Sequence, residues 1–213
     1  RCFPHVINIA VKTGVSTHHD FEYARILSND PIGKVRTLSN WFRTSGQRRD
    51  ILKAVILRGN AILRSKRAQA ASSPPPPEFL ALVILLRDVD TRWSSMYLMI
   101  LRLLELYPAV NYVLHDPKHA RDRHLLLQRK ELAVLKDITT FLKLFHKTQE
   151  LLSANRTPTL AYAIPAYELL LEGLDAMKQG FPGLRHAIIA SERKLIEYLS
   201  LCRRSRLYSL AMG

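Results

Sequence analysis

Residues 130–153 read KELAVLKDITTFLKLFHKTQELLS, and this stretch decides the fold class. Leu132, Leu135, Ile138, Phe141, Leu142, Phe145 and Leu152 recur every three or four positions, so they form one apolar stripe along an α-helix. Downstream, Thr157-Pro158 supplies a capping hydroxyl followed by proline at the first helical position. The helix they start runs to about Lys178 and is expected to kink near Pro165. Phe181-Pro182-Gly183 breaks the chain. A last helix then packs Leu184, Ile188, Leu195, Tyr198, Leu199 and Cys202, and ends in Arg203-Arg204. Upstream, Asp90 or Thr91 caps a helix expected to run to Tyr107 and stop at Pro108. Trp93, Tyr97, Ile100, Leu101 and Leu104 share one face of it, and Leu98, Met99 and Leu103 make it apolar on others. It should be buried on more than one side, with a shorter helix from Pro108 to Leu114.

Ala68 to Pro77, AQAASSPPPP, is the clearest boundary. Four consecutive prolines hold it extended, and it reads as an exposed spacer. Before it, Val35, Leu38, Trp41 and Phe42 have helical spacing over Lys34 to Phe42. A second helix, Gln47 to about Arg64, turns Ile51, Leu52, Val55, Ile56 and Ile62 inward and Arg48, Arg49, Lys53, Arg58 and Arg64 outward. Residues 17–33 read as irregular, with Asn29-Asp30-Pro31 as a turn. The run Val6 to Val11, between Pro4 and Gly14, is either a buried strand end or the first turns of a buried helix.

The composition is that of a folded chain: 213 residues, 47% hydrophobic and 23% charged. The longest apolar run, Phe79 to Leu86, is far shorter than the ~20 residues of a membrane helix, so no membrane partner is expected. Cys2 and Cys202 are too few for a disulfide framework, which points to a reducing compartment. The formal charge of +14 is unevenly placed. Residues 1–70 carry 13 Lys/Arg against 4 Asp/Glu, residues 131–182 carry 5 against 6, and 183–213 carry 6 against 2. Basic ends around a neutral middle favour a polyanion, most often nucleic acid.

Catalytic patterns are thin. There is no Gly-rich phosphate loop, G-x-S-x-G elbow or H-E-x-x-H. Cys2 and His5 have half-site spacing for zinc, as do His115 and His119. A structural zinc site needs four ligands, however, and Asp116-Pro117 breaks the helix that would align the second pair. A packed cysteine and hydrogen-bonded histidines are expected instead. Two-metal chemistry needs about three converging carboxylates. Asp88 and Asp90 are the only acidic pair beside an apolar run, and they read as cap and turn residues.

One motif carries a resemblance. Asp88-Val-Asp-Thr-Arg-Trp-Ser-Ser95, followed by Met96-Tyr-Leu-Met99, resembles the D-x-x-T-R-W-[NS]-S-x-[YF]-x-M block of hAT superfamily transposases. Arg1-Cys-Phe-Pro-His-Val-Ile-Asn-Ile-Ala-Val-Lys12 is similar to that family's R-C-x-x-H-x-x-N-L-x-V segment. Phe145, Thr148, Leu151, Ser153, Thr157 and Pro158 are similar to its F-x-x-x-T-x-x-L-S-x-x-x-x-P-T segment. The three stand in the family's order across residues 1–160, and Arg206 to Met212 bears a weaker likeness.

The resemblance implies a ribonuclease-H-like core interrupted by a large helical insertion. On that basis the chain is expected to be mainly α. Residues 1–16 are a remnant of the α/β core, 17–67 a basic helical segment, 68–78 the Ser/Pro-rich linker and 79–213 the helical insertion domain. The family's two aspartates belong upstream of Arg1. Its glutamate belongs downstream of Gly213, because the S-x-x-x-E-R-x-F-S block is missing from the sequence. No catalytic residue, metal or cofactor is therefore expected in this chain, with Mg or Mn needed only by the complete parent enzyme.

Arg92 and Trp93 match the family's R-W pair, in which the tryptophan stacks on a base extruded at the element end; sharing the helix face of Tyr97 and Ile100, Trp93 reads equally as a core residue. Cys2, His5 and Asp88 match motif positions and are given structural roles. The basic helix face, Arg48, Arg49, Lys53, Arg58 and Arg64, suits phosphates. The expected function is the DNA-binding helical portion of a hAT-type transposase or a protein derived from one. It would be nuclear, bind transposon-end or hairpin-like DNA, and oligomerise only in the full-length parent. The competing reading is a helical protein-interaction scaffold with a basic surface. An α-helical body over about 79–205, with a loosely attached basic arm before it, is the expected layout.

Overall fold

The computed structural model describes residues 3–17, 21–69, 80–89, 92–153 and 160–203. Among them the regular elements are helical: α1 (Phe3–Ser16), α2 (Phe21–Leu27), α3 (Pro31–Arg43), α4 (Gly46–Gln69), α5 (Trp93–His115), α6 (Arg129–Ser153), α7 (Leu160–Gly180) and α8 (Arg185–Arg203). A 3₁₀ segment, Pro117–Leu125, joins α5 to α6. The mainly α expectation holds.

The ambiguous run Val6 to Val11 is helix, and its stripe is wider than the run itself. Phe3, Val6, Ile7, Ala10, Val11 and Gly14 are all buried, the three-four spacing of one helix face. Of the core remnant expected over 1–16, the described part is thus a helix and contains no strand. It packs chiefly against α8. Gly14 lets the two helices approach, because a Cβ there would lie 2.2 Å from Ser191 Oγ and 2.9 Å from the Ala187 carbonyl oxygen. The Ser191 hydroxyl is itself fixed by donating to the Ala10 carbonyl at 2.9 Å. Gly14→Ala should therefore destabilise the chain by about 1–3 kcal/mol, despite alanine's better helix propensity. An unchanged or higher urea midpoint would show that this contact is slack.

Two cores result. One gathers α1, α6, α7 and α8 with Trp93 and Tyr97 from the start of α5. The other gathers Val35, Leu38, Phe42, Leu52 and Ile56 from α3 and α4 against Met99, Ile100, Leu103 and Leu106 of α5. α5 therefore passes from one core to the other, which is why it is apolar on several sides. It is long and apolar enough to cross a membrane, and here it is the central core helix. The loosely attached arm is corrected. Helices before the proline run lie in both cores, because their apolar stripes have no other surface to cover.

Pro108 does not end α5, and the short separate helix is likewise corrected. A mid-helix proline costs about 3 kcal/mol. Continuing the helix buries Val110, Val113 and Leu114, each worth about 1.5–3 kcal/mol, and the proline itself is exposed. Burial wins, and α5 stops at His115, before Asp116-Pro117 as expected. Pro165 likewise lies inside α7. Thr157, Pro158, Asp90 and Thr91 fall outside the described residues, as do the side chain of Cys202 and the proline run.

Among the described residues of 17–33 the chain is more regular than expected, with α2 (Phe21–Leu27) there and α3 beginning at Pro31. Asp30 caps α3 from the left-handed region, φ 46°, accepting from the Gly33 amide at 2.9 Å. Gly33 leaves room for that carboxylate. At α6 the Gln128 amide donates to Glu131 Oε2 at 2.7 Å, the reach-back half of a capping box.

Residues 80–89 carry no helix or strand beyond an isolated bridge at Val89, and side chains hold them in place. The Asn60 amide brackets the Leu80 backbone at 2.8 and 3.0 Å. Arg43 donates to the Leu85 carbonyl at 2.9 Å. Arg36 Nε meets Asp88 Oδ2 at 2.6 Å. This segment delivers the chain to the start of α5.

Candidate nucleic-acid interface

Arg92 is the N-cap of α5, extended at φ −121°, ψ 104°, and its side chain is exposed. Its backbone is pinned from both directions. It forms an isolated antiparallel bridge with Val89, and Ser95 Oγ donates to its carbonyl at 2.6 Å. The Ser95 hydroxyl also accepts the Val89 amide at 2.8 Å. The serine of the Arg-Trp-Ser-Ser run thus fixes the arginine's position.

Trp93, the next residue, is core. It is 6% exposed and meets Phe145 edge-to-face at 6.3 Å, with the His146 ring at the same distance on another side. Releasing the indole to stack on a base would forfeit about 3–5 kcal/mol of packing for roughly 1–3 kcal/mol of stacking. The side chain therefore serves as a wall of the cleft beside it. Nearby, His146 Nε2 lies 3.3 Å from Glu150, and burial, followed by Glu150 and Glu105, pushes the Tyr97 phenol above its usual range.

That wall belongs to a cleft of about 180 Å³, lined also by Lys12, Ser16, Arg36, Asp88, Arg92 and the apolar Val11, Val15, Val89 and Met96. Three cations and one carboxylate line it, and Asp88 is already held by Arg36. Lys12 ends the first motif block but carries no role from sequence, and Arg36 carries no marker. They come from α1 and α3, and only the packing of those helices against the start of α5 brings them beside Arg92.

The α4 cations do not join this cleft, nor do they form one face. Arg48 lies over the Trp41 ring at 4.0 Å and donates to the Trp41 carbonyl at 3.1 Å, so its guanidinium is committed to holding α3 on α4. At about 100° per residue, Arg49, Lys53 and Arg64 fall within about 60° of one another, while Arg58 lies on another flank. Arg49 donates to the Arg43 carbonyl at 3.2 Å and, with Lys53, borders a separate cleft of about 360 Å³ beside Leu82–Leu85. Lys53, Arg58 and Arg64 are exposed. Ile62, expected inward, is 48% exposed.

Of the motif pair, His5 is exposed on α1 and Cys2 lies outside the described residues. His115 Nδ1 contacts the Asn111 carbonyl at 2.8 Å, while His119 sits edge-on to Trp41 at 5.2 Å, so the two histidines serve different neighbours. Among the described residues no three His, Cys, Asp or Glu side chains converge to hold a metal.

No family model, curated protein or solved structure matches this chain. A functional reading therefore rests on the cleft and on the sequence blocks around it.

Proposed function

We propose that this chain is the DNA-binding helical portion of a hAT-type transposase, or of a protein derived from one, and acts by binding rather than catalysis. The observation that carries the reading is the Arg92 cleft. The motif arginine has its backbone held by Ser95 and Val89, is exposed, and is joined by Lys12 and Arg36 around a tryptophan wall. A phosphate beside an everted or hairpinned nucleotide suits Arg92 and Lys12, with Arg36 paired to Asp88, and the tryptophan wall and valines suit the sugar or base beside it. On this reading Arg92 and Lys12 hold phosphates, Trp93 shapes the pocket, and Lys53 and Arg64 add long-range attraction. A nuclear location follows from the same proposal, as does metal-dependent strand cleavage, with Mg or Mn, confined to a complete parent enzyme.

The test is fluorescence anisotropy with hairpin-ended and plain duplex DNA at two salt concentrations. Wild type should prefer the hairpin. Arg92→Ala and Lys12→Ala should each weaken it by about 5- to 30-fold and flatten the salt slope by about one. Trp93→Phe, which keeps the core filled, should reduce the hairpin preference without abolishing binding. Binding that ignores DNA structure and both substitutions would refute the proposal and leave a basic protein-interaction scaffold.

A further inference from the structure

Away from the Arg92 cleft, the second half of α4 and the C-terminal third of α5 border a trench of about 540 Å³. Its walls include Val55, Ile62, Leu80, Ala109 and Tyr112, with Arg58 the charged residue among them. Tyr112 is 61% exposed and Ile62 48%, so two large apolar groups lining one cavity remain in water. The Asn60 amide beside them is already satisfied by the Leu80 backbone, which leaves an apolar floor. Such a floor, of a volume usual for binding clefts, takes apolar side chains.

The rim chooses the partner's charge. Two α4 cations, Arg58 and Lys66, bear on the trench, whereas the helix's one acid, Asp50, sits at the far end from it. Arg58 lies on the wall, and Lys66 stands one turn beyond Ile62, exposed and without an ion pair to any described residue. A second copy of this chain would bring a like-charged rim against this one and is disfavoured. Nucleic acid would satisfy the rim but would gain little from a floor of valine, isoleucine, leucine and alanine. An amphipathic helix with apolar anchors at i, i+3 or i+4, and i+7, and carboxylates beside them, satisfies both. We infer that this trench docks an acidic amphipathic helix of a partner protein. The inference stands apart from the DNA proposal, because the trench and the Arg92 cleft share no lining residue.

The experiment uses the full chain and a fluorescein-labelled helical peptide of roughly sixteen residues, with leucines at the anchor spacing and glutamates elsewhere. A scrambled peptide of the same composition is the control. The ordered peptide should bind saturably, at least about tenfold tighter than the scrambled one. Ile62→Asp and Arg58→Glu, both at exposed positions, should each weaken it about tenfold while leaving the circular dichroism melt in place. A peptide with two glutamates changed to lysine should recover affinity for the Arg58→Glu chain. Equal binding of both peptides would overturn the inference, as would indifference to Ile62→Asp. Displacement of the peptide by duplex DNA with an affinity unchanged by Ile62→Asp would overturn it too, in favour of a general polyanion surface. Arg92→Ala should leave peptide binding intact, so this result and the DNA result can fail independently.

Discussion

Trp93→Ala is expected to lower the unfolding free energy by about 3–5 kcal/mol, a large share of what a domain of this size possesses. The indole is 6% exposed and belongs to the core that gathers α1, α6, α7 and α8. Truncation removes its contacts with Phe145 and His146 and opens a cavity where α5 enters that core. Aromatic rings held by two long helices cannot collapse to fill such a space, so relief by relaxation is small. A thermal melt should drop by about 10 °C or more. Trp93→Phe, retaining most of the volume, should cost less than half as much. A melt of Trp93→Ala within a degree or two of wild type would contradict the buried placement and would restore the indole as a surface platform. The result also governs how DNA binding is read. Lost affinity in Trp93→Ala alone reflects a damaged core, whereas the same loss in Arg92→Ala, at an exposed side chain, reports on the cleft.

Helices were legible wherever the stripe was long. The residues from Lys130 to Ser153 announced their period over seven turns, and α6 occupies almost those bounds. The run Val6 to Val11 was too short by itself to tell a strand from a helix. Phe3 and Gly14, outside the apolar run, complete the stripe, but a glycine does not register as an apolar signal. It is buried because it is small enough for α8 to come close. Pro108 misled for a different reason. A local rule about a missing amide was weighed without the burial that Val110, Val113 and Leu114 gain by continuing the helix, and that gain is a tertiary quantity. Ile62 was assigned inward by continuing the α4 stripe, but the surface that covers Leu52 and Ile56 does not extend that far along the helix.

The candidate site was half legible. Arg92 could be singled out because it stands in a dense local motif, and the structure gives that motif a physical role. Ser95 and Val89 hold the arginine's backbone where α5 begins. Lys12 closes a different motif block and Arg36 stands in none; 80 and 56 positions upstream, they meet Arg92 only through packing. The α4 cations were over-read in the opposite sense. A helix with seven basic residues looks like one charged face until its register is drawn, and Arg48 then turns out to be spent on the Trp41 ring and carbonyl.

Lys34→Met should destabilise the chain by about 3–5 kcal/mol, more than any surface ion pair is worth. Lys34 Nζ lies 2.6 Å from Glu131 Oε1, and the Glu131 side chain is 1% exposed. The other carboxylate oxygen accepts the Gln128 amide, so the same group caps α6 and ties it to α3. Removing the lysine leaves a charge in the interior with a single hydrogen bond, whereas the lysine itself is partly in water and adds little by its presence elsewhere. Glu131→Gln should cost less, about 1–2 kcal/mol, because an amide oxygen can still accept from Gln128 and no charge is stranded. Lys34→Met combined with Glu131→Leu should recover much of the loss, with about 1 kcal/mol still missing for the cap. A double-mutant cycle from urea midpoints measures this, and the coupling should survive 1 M salt because the carboxylate is shielded from counterions. The result bears on architecture as well as on one contact. α3 precedes the proline run and α6 follows it, so a loose basic arm would lose nothing from Lys34→Met, and a change below about 0.5 kcal/mol would bring that arrangement back.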